Sequence, residues 1–287
     1  MQEIAGTAGL VRDDRMHDIL KAVILGIVEG LTEFLPISST GHLILVEPWL
    51  GIPEGDPFWA GTFDIFIQIG AILAVVVYFW RRLWRLAVHP ADRSWKENIL
   101  VKLFVAFLPA AVVGLLLHDF MEKHLMTPFV VACALVVGGV AIMIIEAIVR
   151  HPRIGDVAGV SLRCALVIGL VQCLSMVPGT SRSGATIMGA LLMGLTPAAA
   201  AEFSFFLSIP TIFAAGGFKL LKNIKEIEPQ QFVTLGVGFV VSFVVAWFVV
   251  KVFMRFIQTH RFTSFAVYRI VLGVIVLSYY AHLFGGG

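Results

Sequence analysis

The stretch EGLTEFLPISSTGH, residues 29–42, places acids, hydroxyls and a histidine inside an otherwise apolar part of the chain. Glu29 and Glu33 are four residues apart, so on a helix both carboxylates share one face. A charged side chain at mid-bilayer costs about 2.5–3.5 kcal/mol on insertion scales, so the pair needs a reason. One reason is a divalent cation, since Mg²⁺ and Ca²⁺ take carboxylate oxygens. Alternatively, one carboxylate is a general base, or both cap a structural helix at the membrane surface.

Three hydroxyls and a histidine follow Pro36, which is predicted to end the helix because the residue before a proline disfavours helical backbone. Ser38, Ser39 and Thr40 are all candidates to cap the next short helix, but one cap needs one hydroxyl. His42, beside a serine and two glutamates, is suited to donating or accepting a proton. The segment therefore indicates proton transfer or nucleophilic chemistry, with a structural histidine as the alternative.

A second polar break, PGTSRSGAT at residues 178–186, supplies the opposite charge. The planar guanidinium of Arg182 matches phosphate oxygens in a bidentate way. The residues after Gly184 are predicted to be helical, and the start of a helix presents free backbone N–H groups to anions. The hydroxyls around the arginine belong to Ser181, Ser183 and Thr186. This loop therefore predicts a phosphate site. The alternative is that Arg182 forms a structural ion pair with Glu29 or Glu33 of the first break. The same arginine could also form the ion pair and bind phosphate at different times.

Both breaks lie in a chain with the composition of an integral membrane protein. Of its 287 residues, 59% are hydrophobic and 14% are charged, against about 45–50% and about 25% in soluble domains. The net charge of +2 does not indicate a nucleic-acid partner. An odd number of cysteines in apolar stretches argues against a disulfide framework.

Six segments have the roughly 20 apolar residues that a transmembrane helix requires. They cover about residues 60–80, 99–118, 128–149, 201–220, 231–250 and 264–284. Two further apolar segments, 19–50 and 160–195, contain the polar breaks, and broken backbone at membrane depth is tolerated where protein or water shields it. The sequence therefore predicts an all-α polytopic membrane protein with six transmembrane helices and two re-entrant helical hairpins.

The two breaks resemble each other in sequence. LGIVEGLTEFLPISSTG aligns with IGLVQCLSMVPGTSRSG, which pairs Gly26 with Gly169 and Glu29 with Gln172. Each break precedes three spans, an odd number, so a second repeat of about 160–285 is predicted to be inverted relative to a first repeat of about 16–150. Inverted repeats with broken helices at their interface place the binding site near the pseudo-two-fold axis. We expect both repeats to form one membrane domain, residues 1–287.

The distribution of lysine and arginine predicts the orientation. Residues 81–96, 150–153 and 251–261 are basic and are expected on the cytoplasmic side. The termini and residues 219–228 are then outside, although three lysines in that last segment oppose this assignment. The first hairpin is expected to enter from outside and the second from inside.

Polar residues elsewhere in the apolar segments have less specific roles. Asp64 and Glu202 are expected either to support the site or to be structural. Lys102 is expected near a cytoplasmic helix end, where its long side chain reaches water. Tyr268 and Arg269 are expected to anchor the last span.

Taken together, EGLTEFLPISSTGH and PGTSRSGAT resemble the two signature motifs of the undecaprenyl-diphosphate phosphatase family of the bacitracin-resistance type. The resemblance extends from about His17 to Leu283 and includes FDIFIQIGAILAVVVYFWRRL and AEFSFFLSIP. It implies the inverted-repeat fold and hydrolysis of undecaprenyl diphosphate, a polyprenyl diphosphate lipid, to the monophosphate carrier of peptidoglycan synthesis. It also implies bacitracin resistance and a place in the bacterial inner membrane, with an active site facing the outer leaflet.

The resemblance also implies roles for individual residues. The catalytic residues are Ser39, His42, Glu33 and Arg182. The ligands of a divalent cation, Mg²⁺ or Ca²⁺, are Glu29 and Glu33. The substrate-binding residues are Ser38, Thr40, Ser181, Ser183, Gly184 and Thr186.

The expected reaction is phosphoryl transfer to Ser39 followed by hydrolysis, with Glu33 or His42 taking the serine proton. Direct attack by water, with Ser39 binding phosphate, stays open. A secondary transporter is the rival class, because transporters also use inverted repeats and broken helices. A homodimer is compatible with the sequence.

Overall fold

The computed structural model describes residues 2–88, 95–149, 151–223 and 227–285, and within these ranges the chain is built from helices. Ten α-helices are described: α1 (Gln2–Thr32), α2 (Ser39–Val46), α3 (Asp64–Val88), α4 (Ile99–His124), α5 (Pro128–Ile148), α6 (Leu162–Gln172), α7 (Arg182–Leu192), α8 (Pro197–Asn223), α9 (Gln231–Phe256) and α10 (Thr263–Gly285). A π-helical segment, Pro57–Phe63, leads directly into α3, and short 3₁₀ turns occur at Glu47–Leu50, Trp95–Glu97, Val157–Gly159 and Cys173–Met176.

Five helical segments in the described part of the chain are long and apolar enough to cross a bilayer. They are Pro57–Val88, Ile99–Leu117, Pro128–Ile148, Pro197–Gly217 and Gln231–Phe256. They coincide with five of the six predicted spans, and the sixth falls on α10, whose segment Thr263–Tyr279 is a shorter apolar helix. The prediction of an all-α polytopic membrane protein is confirmed, whereas the inverted repeat stays a prediction.

Each polar break folds as a helix, a turn and a second helix. In the first break the turn joins α1 to α2, and in the second a 3₁₀ turn and a loop join α6 to α7. Within each pair the two helices pack against each other. This helix–turn–helix arrangement is the one expected of two helical hairpins.

The first turn begins earlier than predicted, because α1 ends at Thr32 and not next to Pro36. A proline has no N–H to donate to the carbonyl four residues before it, which here is the carbonyl of Thr32. The N–H of Glu33 still donates to the Glu29 carbonyl at 2.9 Å. The helical relation between the two glutamates is therefore kept, although Glu33 itself belongs to the turn.

Glycines bring the first helix of each hairpin close to a neighbouring helix. A Cβ at Gly26 of α1 would lie 2.9 Å from the Gly238 carbonyl oxygen of α9. A Cβ at Gly169 of α6 would lie 2.2 Å from the Ala106 carbonyl oxygen of α4. Small residues of this kind let membrane helices approach backbone to backbone. The two glycines that the sequence alignment pairs thus have the same packing role.

Ion pairs and a carboxylate–backbone hydrogen bond tie several helix ends together at one end of the bundle. Arg82 of α3 donates to Asp156 at 2.5 Å and to Glu202 of α8 at 2.9 Å. The Glu146 carboxylate of α5 accepts from the Phe262 N–H at 2.7 Å, just before α10. The predicted basic segments therefore meet at this end, which we call the basic end; residues 89–94 and 150 of those segments lie outside the described residues. The structural alternative holds for Glu202.

Lys102 is also part of the basic end, but it does not reach water. Its side chain is 0% exposed, and its Nζ donates to Glu97 at 3.0 Å and to the Ala158 carbonyl at 2.7 Å. The prediction of a water-seeking lysine is therefore wrong. A buried ammonium is tolerated here because a carboxylate and a carbonyl replace its hydration.

Candidate active site

The two turns end in the same unusual backbone conformation. Ser38 has φ 72° and Ser181 has φ 73°, in the left-handed region that residues other than glycine rarely adopt. The Ser38 hydroxyl accepts from the Gly41 N–H at 3.2 Å, and the Ser181 hydroxyl accepts from the Gly184 N–H at 3.1 Å. Each serine thus caps the helix that follows it. Strained residues of this kind cluster at functional sites, which marks both turns.

The residues that directly follow these caps, Ser39 and Arg182, converge on Glu33. The Ser39 Oγ donates to Glu33 Oε2 at 2.5 Å, and the Arg182 Nη2 donates to Glu33 Oε1 at 2.8 Å. The Glu33 side chain is 8% exposed. One buried carboxylate therefore holds the hydroxyl of the first hairpin and the guanidinium of the second. The ion pair considered from the sequence is present.

Arg182 has further donor capacity beyond this ion pair. Its Nη1 donates to the Ser204 carbonyl of α8 at 3.0 Å. Its buried Nε has no hydrogen-bond partner among the described residues. An unsatisfied buried N–H costs free energy, so a ligand acceptor placed against it would be favoured.

Glu29 lies in α1, four residues before Glu33, and is fully buried. Its side chain is 0% exposed, and neither carboxylate oxygen has a hydrogen-bond partner among the described residues. The charges that act on it are those of Glu33, Asp64 and Arg182. Glu29 and Glu33 are therefore not caps at a membrane surface, and that alternative is wrong. Asp64 is placed where it can support the site.

The oxygens of Glu29 and Glu33 fit a hard divalent cation that a ligand completes. In the described part of the chain, no group of three or more His, Cys, Asp or Glu is arranged to hold a metal by itself. Mg²⁺ commonly takes one or two carboxylates together with substrate phosphates and water. Two neighbouring carboxylates, one of them with unpaired oxygens, match that requirement.

The hydroxyls of the second break bond to other parts of the protein. The Ser183 Oγ donates to the Leu35 carbonyl in the first turn at 2.7 Å and lies 3.0 Å from the Ser181 Oγ. The Thr186 Oγ1 lies 2.6 Å from the Ser204 Oγ of α8. These hydroxyls therefore fix the second turn against the first turn and against α8. A substrate phosphate would have to exchange with these partners.

His42 is engaged through both ring nitrogens. Its Nδ1 lies 2.7 Å from the Ser38 carbonyl, and its Nε2 lies 2.7 Å from the Tyr268 hydroxyl of α10. The carbonyl can only accept, so Nδ1 carries a hydrogen, and in the neutral ring Nε2 accepts from Tyr268. In this structure the Ser39 hydroxyl donates to Glu33, and the His42 ring is bonded to Tyr268 of α10 and not to Ser39. Thr40, between them, is half-buried.

Arg269 of α10 joins the two turns and was missed as a functional residue. It is 1% exposed and donates to the Pro36 carbonyl at 3.0 Å and to the Gly179 carbonyl at 3.0 Å. Further bonds reach the carbonyls of Ala134 and Leu135 in α5. The prediction that it anchors the last span is wrong. The available signal was its charge within an apolar helix, which by default indicates a functional position.

Comparison with known proteins identifies the family of this chain. The family described as Bacitracin resistance protein BacA matches residues 22–275. Undecaprenyl-diphosphatase 1 of Oenococcus oeni is 49% identical, over 91% of this chain and 96% of that protein. The undecaprenyl-diphosphatase of Caldanaerobacter subterraneus subsp. tengcongensis is 47% identical, with 92% and 96% covered, and that of Aromatoleum aromaticum is 50% identical, with 90% and 93% covered. Matches of this extent, on a chain that brings both polar motifs together, show that the protein belongs to the BacA family.

Proposed function

We infer that this protein is a membrane phosphatase that hydrolyses undecaprenyl diphosphate to undecaprenyl phosphate and inorganic phosphate. This activity recycles the lipid carrier for peptidoglycan synthesis and confers resistance to bacitracin. The observation that carries the inference is the convergence of Ser39 and Arg182 on Glu33. It brings together a nucleophile, Ser39, a base, Glu33, and a guanidinium that can bind phosphate, Arg182. Relatives named undecaprenyl-diphosphatase match about nine-tenths of the chain.

The proposed first step is attack of the Ser39 Oγ on the terminal phosphorus. Glu33 Oε2 already accepts the hydroxyl hydrogen at 2.5 Å, so it takes the proton as the new P–O bond forms. The bond between that phosphorus and the bridging oxygen breaks, and undecaprenyl phosphate leaves. Water then attacks the phosphorus of the phosphoserine, and the bond from that phosphorus to the Ser39 Oγ breaks. The proton on Glu33 returns to the Ser39 oxygen, and both hydrogens of the water leave on inorganic phosphate. Direct attack by water activated by Glu33 is the alternative within the same site.

Arg182 is proposed to stabilise the negative charge on the transferring phosphoryl group. Phosphoryl transfer depends mainly on positioning and on electrostatic stabilisation of the equatorial oxygens. Before substrate binds, the guanidinium is held by Glu33 and by the Ser204 carbonyl. Its unpartnered Nε offers a donor to a phosphate oxygen without breaking either bond.

Glu29 and Glu33 are the residues proposed to hold a divalent cation, Mg²⁺ or Ca²⁺. When bound, such a cation supplies neutralisation of the diphosphate charge. Because the two oxygens of Glu33 already bond Ser39 and Arg182, Glu29 offers its unpaired oxygens to the cation, and Glu33 would share one of its oxygens between the cation and these partners.

The turns themselves are proposed to bind the two phosphates. The groups involved belong to Ser38, Thr40, Ser181, Ser183, Gly184 and Thr186. His42 is proposed to donate a proton to the leaving phosphate from its Nε2, which requires the imidazolium form of the ring and release of the bond to Tyr268. All of these residues lie on one chain, so the proposal does not require a homodimer.

The reaction and its cation are tested together on purified protein. We expect release of inorganic phosphate from undecaprenyl diphosphate, and loss of that release when EDTA removes divalent cations. Glu29→Gln keeps the size of the side chain but removes its charge, so it should lose most activity and weaken Mg²⁺ or Ca²⁺ binding measured by calorimetry. Glu54→Gln, at an exposed position, is the matched control. A transporter would bind the lipid without releasing phosphate, and full Glu29→Gln activity in excess EDTA would contradict the cation proposal.

We also propose that the first hairpin opens on the non-cytoplasmic side. The loop between that hairpin and α3 contains Gly55, but its φ of 72° would strain a cysteine there. The neighbouring exposed Glu54 is the better position. In a background with the three native cysteines replaced by alanine, Glu54→Cys should react with an impermeant thiol reagent in intact spheroplasts. Arg153→Cys, near the basic end, should react after the membrane is opened; the reverse pattern would invert the topology.

A further inference from the structure

An apolar groove of about 590 Å³ lies between α9 and α10. This volume is in the range of about 300–1,000 Å³ that small-molecule sites occupy. Its walls carry aliphatic and aromatic side chains of α9, among them Val252 and Phe256, and the first residues of α10 from Ser264. Val252 is 64% exposed, so this wall faces the lipid side of the bundle and not the core. The groove can therefore take up an apolar chain directly from the bilayer.

One end of the groove is formed by the catalytic turn. Leu35 and Ile37 line it, and they lie between Glu33 and Ser39 in the chain. Tyr268 also lines it and donates to His42. The groove and the Glu33–Ser39–Arg182 cluster are thus opposite sides of the same short turn. A molecule with its phosphates at the cluster would have its apolar part at the groove.

The groove extends from that turn towards the basic end. The residues of α9 that line it lie in the last part of that helix, Phe248–Phe256. The residues of α10 that line it lie near the start of that helix, between Ser264 and Tyr268. Asp64, which acts on Glu29, begins α3 at the opposite end from Arg82. Glu29 therefore lies on the side of the turn away from the basic end, and the groove lies on the side towards it.

We propose that this groove binds the first isoprene units of the substrate, next to the diphosphate, and directs the polyprenyl chain towards the basic end of the bundle. The proposal rests on the proposed phosphatase function, because the continuity of groove and cluster gives it its occupant. The groove then supplies binding energy through apolar contact, and the turn holds the phosphates. Its wide lipid-facing side lets the rest of a long chain leave into the bilayer.

Filling the groove tests this proposal. Ser264→Trp and Val252→Trp enter it from opposite walls, and both positions are exposed, so neither removes core packing. Each variant should raise the KM for undecaprenyl diphosphate by about tenfold or more, because several buried methylenes are displaced. The kcat should stay within about twofold, since contact far from the reacting atoms acts on ground state and transition state alike. A five-carbon prenyl diphosphate has one isoprene unit and fills only the start of the groove, so its KM should change less than that of undecaprenyl diphosphate.

Val267→Trp is the matched control, because Val267 is exposed on α10 and does not line the groove. Equal effects of all three variants on the long-chain substrate, or no effect of the two groove variants, would overturn the proposal. A second measurement is independent of turnover: a polyprenyl diphosphate with a photoreactive group on its first isoprene units should label α9 and α10 peptides of the wild type, and less of either groove variant. Labelling elsewhere would overturn the groove even if phosphate is released. Labelling of the groove without phosphate release would retain the groove and reject the phosphatase.

Discussion

Ser39→Ala should lower kcat by more than about 10³-fold, because the substitution removes the atom that accepts the phosphoryl group. The substitution also removes the hydrogen bond from Ser39 to Glu33, and it changes the first residue of α2. Alanine is a good helix former, so the fold should be kept. The measurement is single-turnover phosphate release, and rapid-quench trapping with a labelled terminal phosphate should detect phosphoserine in the wild type.

Two further variants separate the roles around Ser39. Ser39→Cys keeps a nucleophile and should retain weak turnover. Ser175→Ala is the control, since Ser175 donates to the Gln172 carbonyl in the second hairpin, outside the Glu33 cluster. If Ser39→Ala keeps more than about a tenth of wild-type turnover, water is the nucleophile and Ser39 binds phosphate.

Arg182→Lys should lower kcat by about 10²-fold, comparable to the loss of one strong transition-state donor. A lysine keeps the positive charge, but its donors are all on one nitrogen, so it cannot occupy the separate positions from which Nη2 bonds Glu33, Nη1 bonds the Ser204 carbonyl and Nε faces a phosphate oxygen. The loss should be in kcat more than in KM, because the charge develops in the transition state. Steady-state kinetics with undecaprenyl diphosphate provide the measurement.

The control for this variant is Arg163→Lys, at an exposed position in α6. It should leave kcat unchanged. A double variant, Glu33→Gln with Arg182→Lys, should lose much less than the product of the two single losses, because the two side chains act on each other. Additive losses would show that the ion pair has no part in positioning the arginine.

Much of the fold could be predicted because membrane helices are set by the length of their apolar runs. Five predicted spans coincide with helices that can cross the bilayer. The four-residue spacing of Glu29 and Glu33 was enough to place the two carboxylates together. The positive charge of Arg182 was enough to predict a carboxylate as its partner. Both follow from local geometry and from charge.

The contacts across long chain distances could not be predicted in this way. Arg269 bonds carbonyls 233 and 90 residues earlier in the chain, and no local pattern encodes which backbone groups will be free there. Tyr268 likewise meets His42 because α10 and α2 both pack against α5. The choice between Glu33 and His42 as the neighbour of Ser39 depended on a turn whose serine has positive φ. These features follow from tertiary packing, which overrides local preference.

The bonds of Arg269 have a consequence for biosynthesis. Both turns are held by a guanidinium in α10, which is translated after both hairpins. While the ribosome is still making α10, both hairpins already exist but their carbonyls at Pro36 and Gly179 lack this donor. The nascent chain is therefore expected to insert in the membrane without a formed catalytic centre, and a product truncated before α10 should accumulate as an inactive protein. Competence for the reaction therefore arises when α10 docks against the two hairpins.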